Sequence, residues 1–280
     1  MDGVLTLALL YGLACAIPVV AGYGWTALQW GEPVRPSRAD ASWMIREIAA
    51  HAVIFFLLLF GWWSVSPTRK RRQRDLAEAP RSDAIRNPVI LVHGYGLNRA
   101  CWTFLQTYLH TRGWEWVWAI NHRPRSSPIP VFAKRLGRAI ERLREETGAE
   151  QVDLVCHSMG GVVAAYALKE FGYASQVRRL ITLGTPWSGT KTHIFGWRRE
   201  AADMAAESEV IQSLSDYQGD TVAIWSRHDH LLVPLESAAP DHGNTIELKH
   251  LGHLEMLTSA RVFRVVADAL QSSGSGLTEE

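Results

Sequence analysis

Val152-Asp153-Leu154-Val155-Cys156-His157-Ser158-Met159-Gly160-Gly161 decides how the rest of the chain is read. An apolar run rich in β-branched side chains (Val152, Leu154, Val155) stops at the small Cys156, and after one further residue comes a serine and then two glycines. Val162-Val163-Ala164-Ala165-Tyr166-Ala167-Leu168 follows, small and apolar as a buried helix requires. Strand, tight turn and helix in that order predict a nucleophile elbow. Such a turn holds the serine backbone in a strained conformation and needs small neighbours where strand and helix approach. The hydroxyl then stands above the sheet at a helix N-terminus, where the Met159 N–H can face a developing oxyanion. The common spacing is G-x-S-x-G, and here Cys156 occupies the place of the first glycine. An ordinary βα unit can also contain Ser-Met-Gly-Gly. The decision therefore rests on partners elsewhere in the chain.

Composition narrows the classes. The 280 residues include 29 basic and 28 acidic side chains, a net charge of +1, so no whole-protein field favours nucleic acid. Three cysteines (Cys15, Cys101, Cys156) make no even disulfide framework and read as small buried hydrophobes.

Residues 4–31 contain no charged side chain, and about 20 apolar residues suffice to cross a bilayer core. A cleaved signal peptide fits poorly, because the residues before the run contain Asp2 and no Lys or Arg. A second uncharged run, residues 48–66, is centred on Ile54-Phe55-Phe56-Leu57-Leu58-Leu59-Phe60. Tryptophans 25, 30, 43, 62 and 63 flank the two runs as interfacial anchors would. Two transmembrane helices are therefore predicted, at about 4–30 and 48–66, within an anchor of residues 1–68. His51 is assigned no role. Arg69-Lys70-Arg71-Arg72-Gln73-Arg74 follows directly, marking the cytoplasmic side and attracting anionic lipid headgroups. These features predict a membrane protein whose C-terminal domain faces the cytosol. Residues 69–87 read as a basic juxtamembrane linker and residues 272–280 as a flexible Ser/Gly-rich tail.

Residues 88–271 form the predicted catalytic domain. The strand Pro88-Val89-Ile90-Leu91-Val92 runs into His93-Gly94-Tyr95-Gly96, a turn able to aim the Tyr95 N–H at a substrate oxygen. Residues 114–120 read as a second strand and 131–147 as an amphipathic surface helix closed by Gly148. Further strands are expected at 177–183, 221–226 and 245–250, with a closing helix at 260–270. Strands alternating with helices predict a mainly parallel sheet carrying its site at the strands' carboxyl ends.

A serine hydroxyl needs a histidine to take its proton, and that imidazole needs a carboxylate to fix its tautomer. Ser158 follows one strand, Asp229 a later one and His253 the last. His228 and His230 flank the acid and are expected at the rim; His242 and His250 lie nearby, but only His253 follows the last strand in a Gly-His context. Asp241 is a second acid in a loop, Asp153 lies inside the elbow strand, and Cys156 at a strand end should be buried. No Cys/His/acid cluster has metal-ligand spacing and no phosphate loop appears, so neither metal nor cofactor is expected.

Four pieces, in order, resemble the α/β hydrolases of the bacterial lipase/esterase group: Val-His-Gly-Tyr-Gly (92–96), the elbow stretch (152–161), Leu-Gly-Thr-Pro-Trp-Ser-Gly-Thr (183–190), and Ala-Asp-Met (202–204) with Ser208 and Leu214 behind it. The Asp229 and His253 loops complete the set. The resemblance covers about two thirds of the chain and departs at Cys156, at Trp187 where such lipases often carry histidine, and in the N-terminal runs. It implies the α/β-hydrolase fold and ester hydrolysis through an acyl-serine. Ser158, Asp229 and His253 would then form the triad, with Tyr95 and Met159 N–H groups as the oxyanion hole. Trp187, Ile194, Phe195 and Trp197 could wall an acyl-chain site or equally pack in the core. The expected partners are an ester or lipid substrate and membrane lipids; the sequence leaves oligomeric state open. Acyl transfer or thioester cleavage on the same fold, and a catalytically silent membrane interaction module, are the alternative readings.

Overall fold

The computed structural model describes residues 2–30, 41–62 and 86–272. Six strands align in parallel: β1 (Val89–Val92), β2 (Val117–Ile120), β3 (Val152–His157), β4 (Val177–Leu183), β5 (Thr221–Trp225) and β6 (Asn244–Glu247). Their spatial order is β2-β1-β3-β4-β5-β6. Every residue of β1 and β3 is buried, which explains why these strands read as continuous apolar runs and not as alternating ones.

The helices are α1 (Asp2–Trp30), α2 (Ala41–Leu58), α3 (Thr103–His110), α4 (Ile129–Thr147), α5 (Met159–Glu170), α6 (Arg199–Ala202), α7 (Glu209–Ser213) and α8 (Ala260–Gln271). Side chains alternate across the sheet. Leu91, Val155, Ile181 and Val222 pack on one face with Leu105 of α3 and Val266 of α8. Ile90, Leu154, Cys156 and Leu180 pack on the other with Leu136 and Ile140 of α4 and Val163 of α5. Gly148 ends α4 at φ 70° with its N–H on the Arg144 carbonyl, the left-handed cap that glycine makes easy. The last strand is shorter than expected, ending at Glu247; His250 already lies at φ 57° in the following loop. Between β4 and β5 the chain makes a small cap from a 3₁₀ turn (Lys191–Phe195), α6 and α7.

The N-terminal region corrects the two-span expectation. Among the described residues, one helix is long and apolar enough to cross a membrane, Val4–Trp25 within α1, with mean hydropathy 2.3. Of the second predicted span, 48–66, residues 48–58 belong to α2, which starts at Ala41 and carries Arg46 and Glu47. Its side chains Trp43, Glu47, Ala50, His51 and Ile54 recur at helical spacing and are all buried. Ala50 and Ile54 belong to the same core as β1 and α3. The hydropathy of the run comes partly from a face that packs on the protein. Residues 63–66, the basic cluster 69–74, most of the predicted linker, and 273–280 lie outside the described residues.

Candidate active site

The parallel register sets out the site. His157 of β3 pairs with Leu183 of β4, and Leu183 with Ile224 of β5, so three strands end at one level. Ser158 turns from β3 into α5 at φ 53°, ψ −126°, a sparsely populated conformation for an L-residue. Three bonds hold it there. Its N–H donates to the Leu183 carbonyl at 2.8 Å, and its own carbonyl accepts from the Gly161 N–H at 2.9 Å and the Thr185 hydroxyl at 2.9 Å. Met159 opens α5, so its N–H has no partner inside the helix.

Asp229 lies in the turn after β5. One carboxylate oxygen accepts from the Leu231 N–H at 2.8 Å, and the other lies 2.5 Å from His253 Nδ1. Both side chains are almost fully buried. With Nδ1–H donating to Asp229, Nε2 keeps its lone pair. Burial works against the His253 cation. The Asp229 charge and hydrogen bond, with the Glu47 charge added, outweigh it and hold the pKa above the ordinary imidazole value. Gly184, at φ 55°, faces this pair: a β-carbon there would stand 3.0 Å from Asp229 Oδ2 and 3.3 Å from His253 Nδ1.

Ser158 and His253 line one cavity of about 190 Å³, whose other walls include Tyr95, Leu97, Phe195, Met204, Leu232 and Leu254. The turn at Tyr95 is braced from behind. His93 donates Nδ1–H to the Gly94 carbonyl at 2.9 Å and accepts the His122 N–H on Nε2 at 3.3 Å; His122 Nε2–H returns to the His93 carbonyl at 2.8 Å. Burial lowers the pKa of His122 to about 4, so at neutral pH it is an uncharged donor. The Tyr95 hydroxyl accepts from the Trp197 and Arg198 N–H groups, tying this turn to the cap.

Comparison with known proteins agrees with this fold. The sequence family described as "alpha/beta hydrolase fold" matches residues 87–204. The mature lipase BlEst2 of Bacillus licheniformis superposes with a TM-score of 0.58 at 14% identity, over 69% of this chain and 95% of that one. Lipase B of Aspergillus fumigatus gives 0.58 at 18%, over 68% and 54%. The chain has the α/β-hydrolase fold. It is also 33% identical over 109 residues to abhydrolase domain-containing protein abhd-5.2 of Caenorhabditis elegans, a match spanning 36% of this chain and 23% of that relative. The resemblance read from the motifs is thus borne out.

Within this hydrolase fold the other candidates fall away from the cavity. Asp153 lies near the start of β3 and pairs with Arg178 at 2.7 Å. Cys156 is fully buried, and burial pushes its thiol well above the ordinary range. Its φ is not positive, so the elbow has no need of glycine there. His242 packs edge-on against Trp187, which stacks on Tyr217. Trp187 is therefore part of the core, and Ile194 and Trp197 are exposed; of the four residues expected to wall an acyl chain, Phe195 lines the cavity. His228 and His230 are not at the rim. Both are buried toward α1 and α2: the His228 carbonyl accepts from the Tyr23 hydroxyl at 2.6 Å, and the His230 ring lies 4.8 Å from that of Tyr23.

Three residues of the site carry no sequence assignment. Thr185 pins the elbow. His157 donates Nε2–H to the His253 carbonyl at 3.1 Å, and burial lowers its pKa to about 3. Glu47 of α2 accepts from the Leu254 and Glu255 N–H groups at 2.9 and 2.7 Å. A threonine after Gly184 and a histidine before the serine were visible signals; for Glu47 the signal was a carboxylate one turn before His51 on an apolar helix. Glu47, His51 and His230 also bring three possible metal-ligating atoms within 4.8 Å of one another, a grouping that spacing along the sequence did not reveal. Both carboxylate oxygens already serve backbone N–H groups, and a dication there would repel the His253 cation.

Proposed function

We propose that this chain is a membrane-anchored serine hydrolase that cleaves carboxylic esters, lipids among them, through an acyl-serine intermediate. Ser158 Oγ attacks the ester carbonyl while His253 Nε2 takes its proton and passes it to the departing alcohol. Asp229 fixes the imidazole tautomer and stabilises the imidazolium. The Tyr95 and Met159 N–H groups hold the tetrahedral oxyanion, each such donor being worth about 3–4 kcal/mol of barrier. Water then attacks the acyl-serine with His253 as base, and Ser158 is released. One observation carries the reading: a buried His253–Asp229 hydrogen bond of 2.5 Å opens onto the same apolar cavity as a serine held at an elbow turn. The cavity is smaller than the roughly 300–1,000 Å³ of drug-sized sites, so a long acyl chain needs the cap to shift.

The apolar helix Val4–Trp25 supplies the membrane attachment. The basic cluster 69–74 is read as the contact with anionic headgroups that keeps the catalytic domain on the cytosolic face of a bacterial inner membrane. Cleavage of that domain by protease added outside sealed, right-side-out cells would refute this orientation.

The full chain in detergent micelles should be labelled at Ser158 by a fluorophosphonate, and Ser158→Ala should not. A folded wild type that stays unlabelled ends the hydrolase reading in favour of a silent interaction module. A series of p-nitrophenyl esters sets the substrate class: preference beyond butyrate supports lipid esters, and activity confined to acetate and butyrate opposes them. Appearance of a transferred ester in place of free acid, when an alcohol is added at low concentration, would favour acyl transfer.

A further inference from the structure

The hairpin of α1 and α2 reaches further into the site than a membrane attachment requires. Arg46 of α2 donates Nε–H to Glu255 at 2.5 Å and a second N–H to the His250 carbonyl at 2.7 Å, gripping the loop on both sides of His253. One position along, Glu47 is fully buried and accepts the N–H groups of the two residues that follow His253. The fit is close. A β-carbon at Gly252 would come within 2.3 Å of the Glu47 carboxylate, so the loop passes over it with no side chain to spare. The same helices hold the acid loop: the Trp43 ring lies 5.3 Å from that of His228, Tyr23 bonds the His228 carbonyl, and His230 Nδ1 lies 3.6 Å from Glu47.

We propose that Glu47 is a positioning residue for His253: its carboxylate fixes the loop through Leu254 and Glu255 and sets a negative charge behind the imidazolium. The N-terminal hairpin is then part of the catalytic unit. This inference rests on the hydrolase reading above. Three physical points support it. A backbone N–H pair aimed at one carboxylate is a charge-assisted arrangement, stronger than neutral bonds. Its neighbourhood excludes water, so the charge acts on His253 with little screening. Burial raises the Glu47 pKa to about 7, and the two N–H bonds and the His253 charge oppose that rise. Glu47 is therefore ionised above about pH 7 and gains a proton as the pH falls, so its charge supports His253 over the upper part of the range in which a histidine base works.

Other charged and titratable groups surround Glu47: Tyr23 from α1, His51 from α2, Asp229 and His230 from the acid loop, and His253 together with the Arg46–Glu255 pair at its own loop. Asp229 remains in any Glu47 variant, so the effect sought is a displacement of the His253 titration and not its loss.

The test uses the full-length chain in micelles and the variants Glu47→Gln and Glu47→Asp. Fluorophosphonate labelling of Ser158 is followed from pH 5 to 9, beside a thermal melt. Glu47→Gln keeps the volume, removes the charge and sets an NH₂ against one of the two N–H donors, so that bond is lost too. It should slow labelling by roughly a hundredfold, the scale of a misplaced catalytic group. It should also move the acid limb to lower pH, because the cation has lost a stabilising neighbour. Glu47→Asp, with the charge but a shorter reach, should retain the wild-type limb at a reduced rate. The limb's midpoint is independent of how much protein is folded, so a lowered melting temperature does not obscure it. Wild-type rate and limb in Glu47→Gln overturn the inference while leaving the hydrolase reading intact. A wild-type chain inert to the probe overturns both.

Discussion

Replacing Gly184 by alanine tests how tightly the Asp229–His253 pair is enclosed. The substitution adds one methyl group, and two effects can be sized. Gly184 sits at φ 55°, where a side chain costs roughly 1–2 kcal/mol. The new carbon would also stand 3.0 Å from Asp229 Oδ2, 3.3 Å from His253 Nδ1 and 3.3 Å from Met256 Sδ. The backbone cannot retreat freely, since the Gly184 N–H is bonded to the Ile224 carbonyl at 2.9 Å within the sheet. A strained contact of this kind adds about 1 kcal/mol or more. The sum, near 2–3 kcal/mol, corresponds to a fall in melting temperature of about 5–10 °C for a domain of this size. The pair must also move by a few tenths of an ångström, which should slow acylation of Ser158 by about tenfold to a hundredfold. A melt and the rate of fluorophosphonate labelling measure both. If Gly184→Ala labels within twofold of wild type, the loops adjust freely and the enclosure has no bearing on reactivity.

Asp229→Asn should cost about 10³–10⁴ in kcat, because the amide can turn its NH₂ to Nδ1 and leave the wrong tautomer. The neutral imidazole is the base and its pKa is raised, so wild-type kcat/KM should rise with pH through a midpoint above 6.5. In Asp229→Asn that midpoint should fall, and an unmoved midpoint would exclude Asp229 as the partner. Tyr95→Phe removes the acceptor for the Trp197 and Arg198 N–H groups but leaves the Tyr95 backbone in place. It should loosen the cap by about 1 kcal/mol, seen as a KM change of several-fold with kcat within twofold. A large loss of kcat instead would mean that the cap sets the position of the oxyanion donor.

The parts legible in the sequence were local. The elbow needs only a strand, a turn and a helix in succession, and Val152 to Leu168 spell these out. The loop residues Asp229 and His253 were found because both follow apolar runs, and in a parallel sheet all such ends converge. What stayed hidden depended on distant neighbours. The density of apolar residues in 48–66 reads as a span because composition does not say which face is already covered; Trp43, Glu47, Ala50, His51 and Ile54 turn inward on partners far along the chain. His228 and His230 were misplaced for the same reason, since a rim becomes an interior once a helix pair lies across it. Trp187 could be read as pocket wall or core from its place after Gly-Thr-Pro, and only the distant Tyr217 and His242 that enclose it decide for the core.

The bonds from Glu47 to residues 254 and 255 span 207 and 208 positions. During synthesis at the usual elongation rates, α2 therefore leaves the ribosome about 10–40 s before the loop it will grip. Until then Ser158 has neither its base nor the base's support. On the proposed function, a nascent chain held at lipid through α1 would stay inert toward the esters around it until residues 229–255 had been made and folded onto α2.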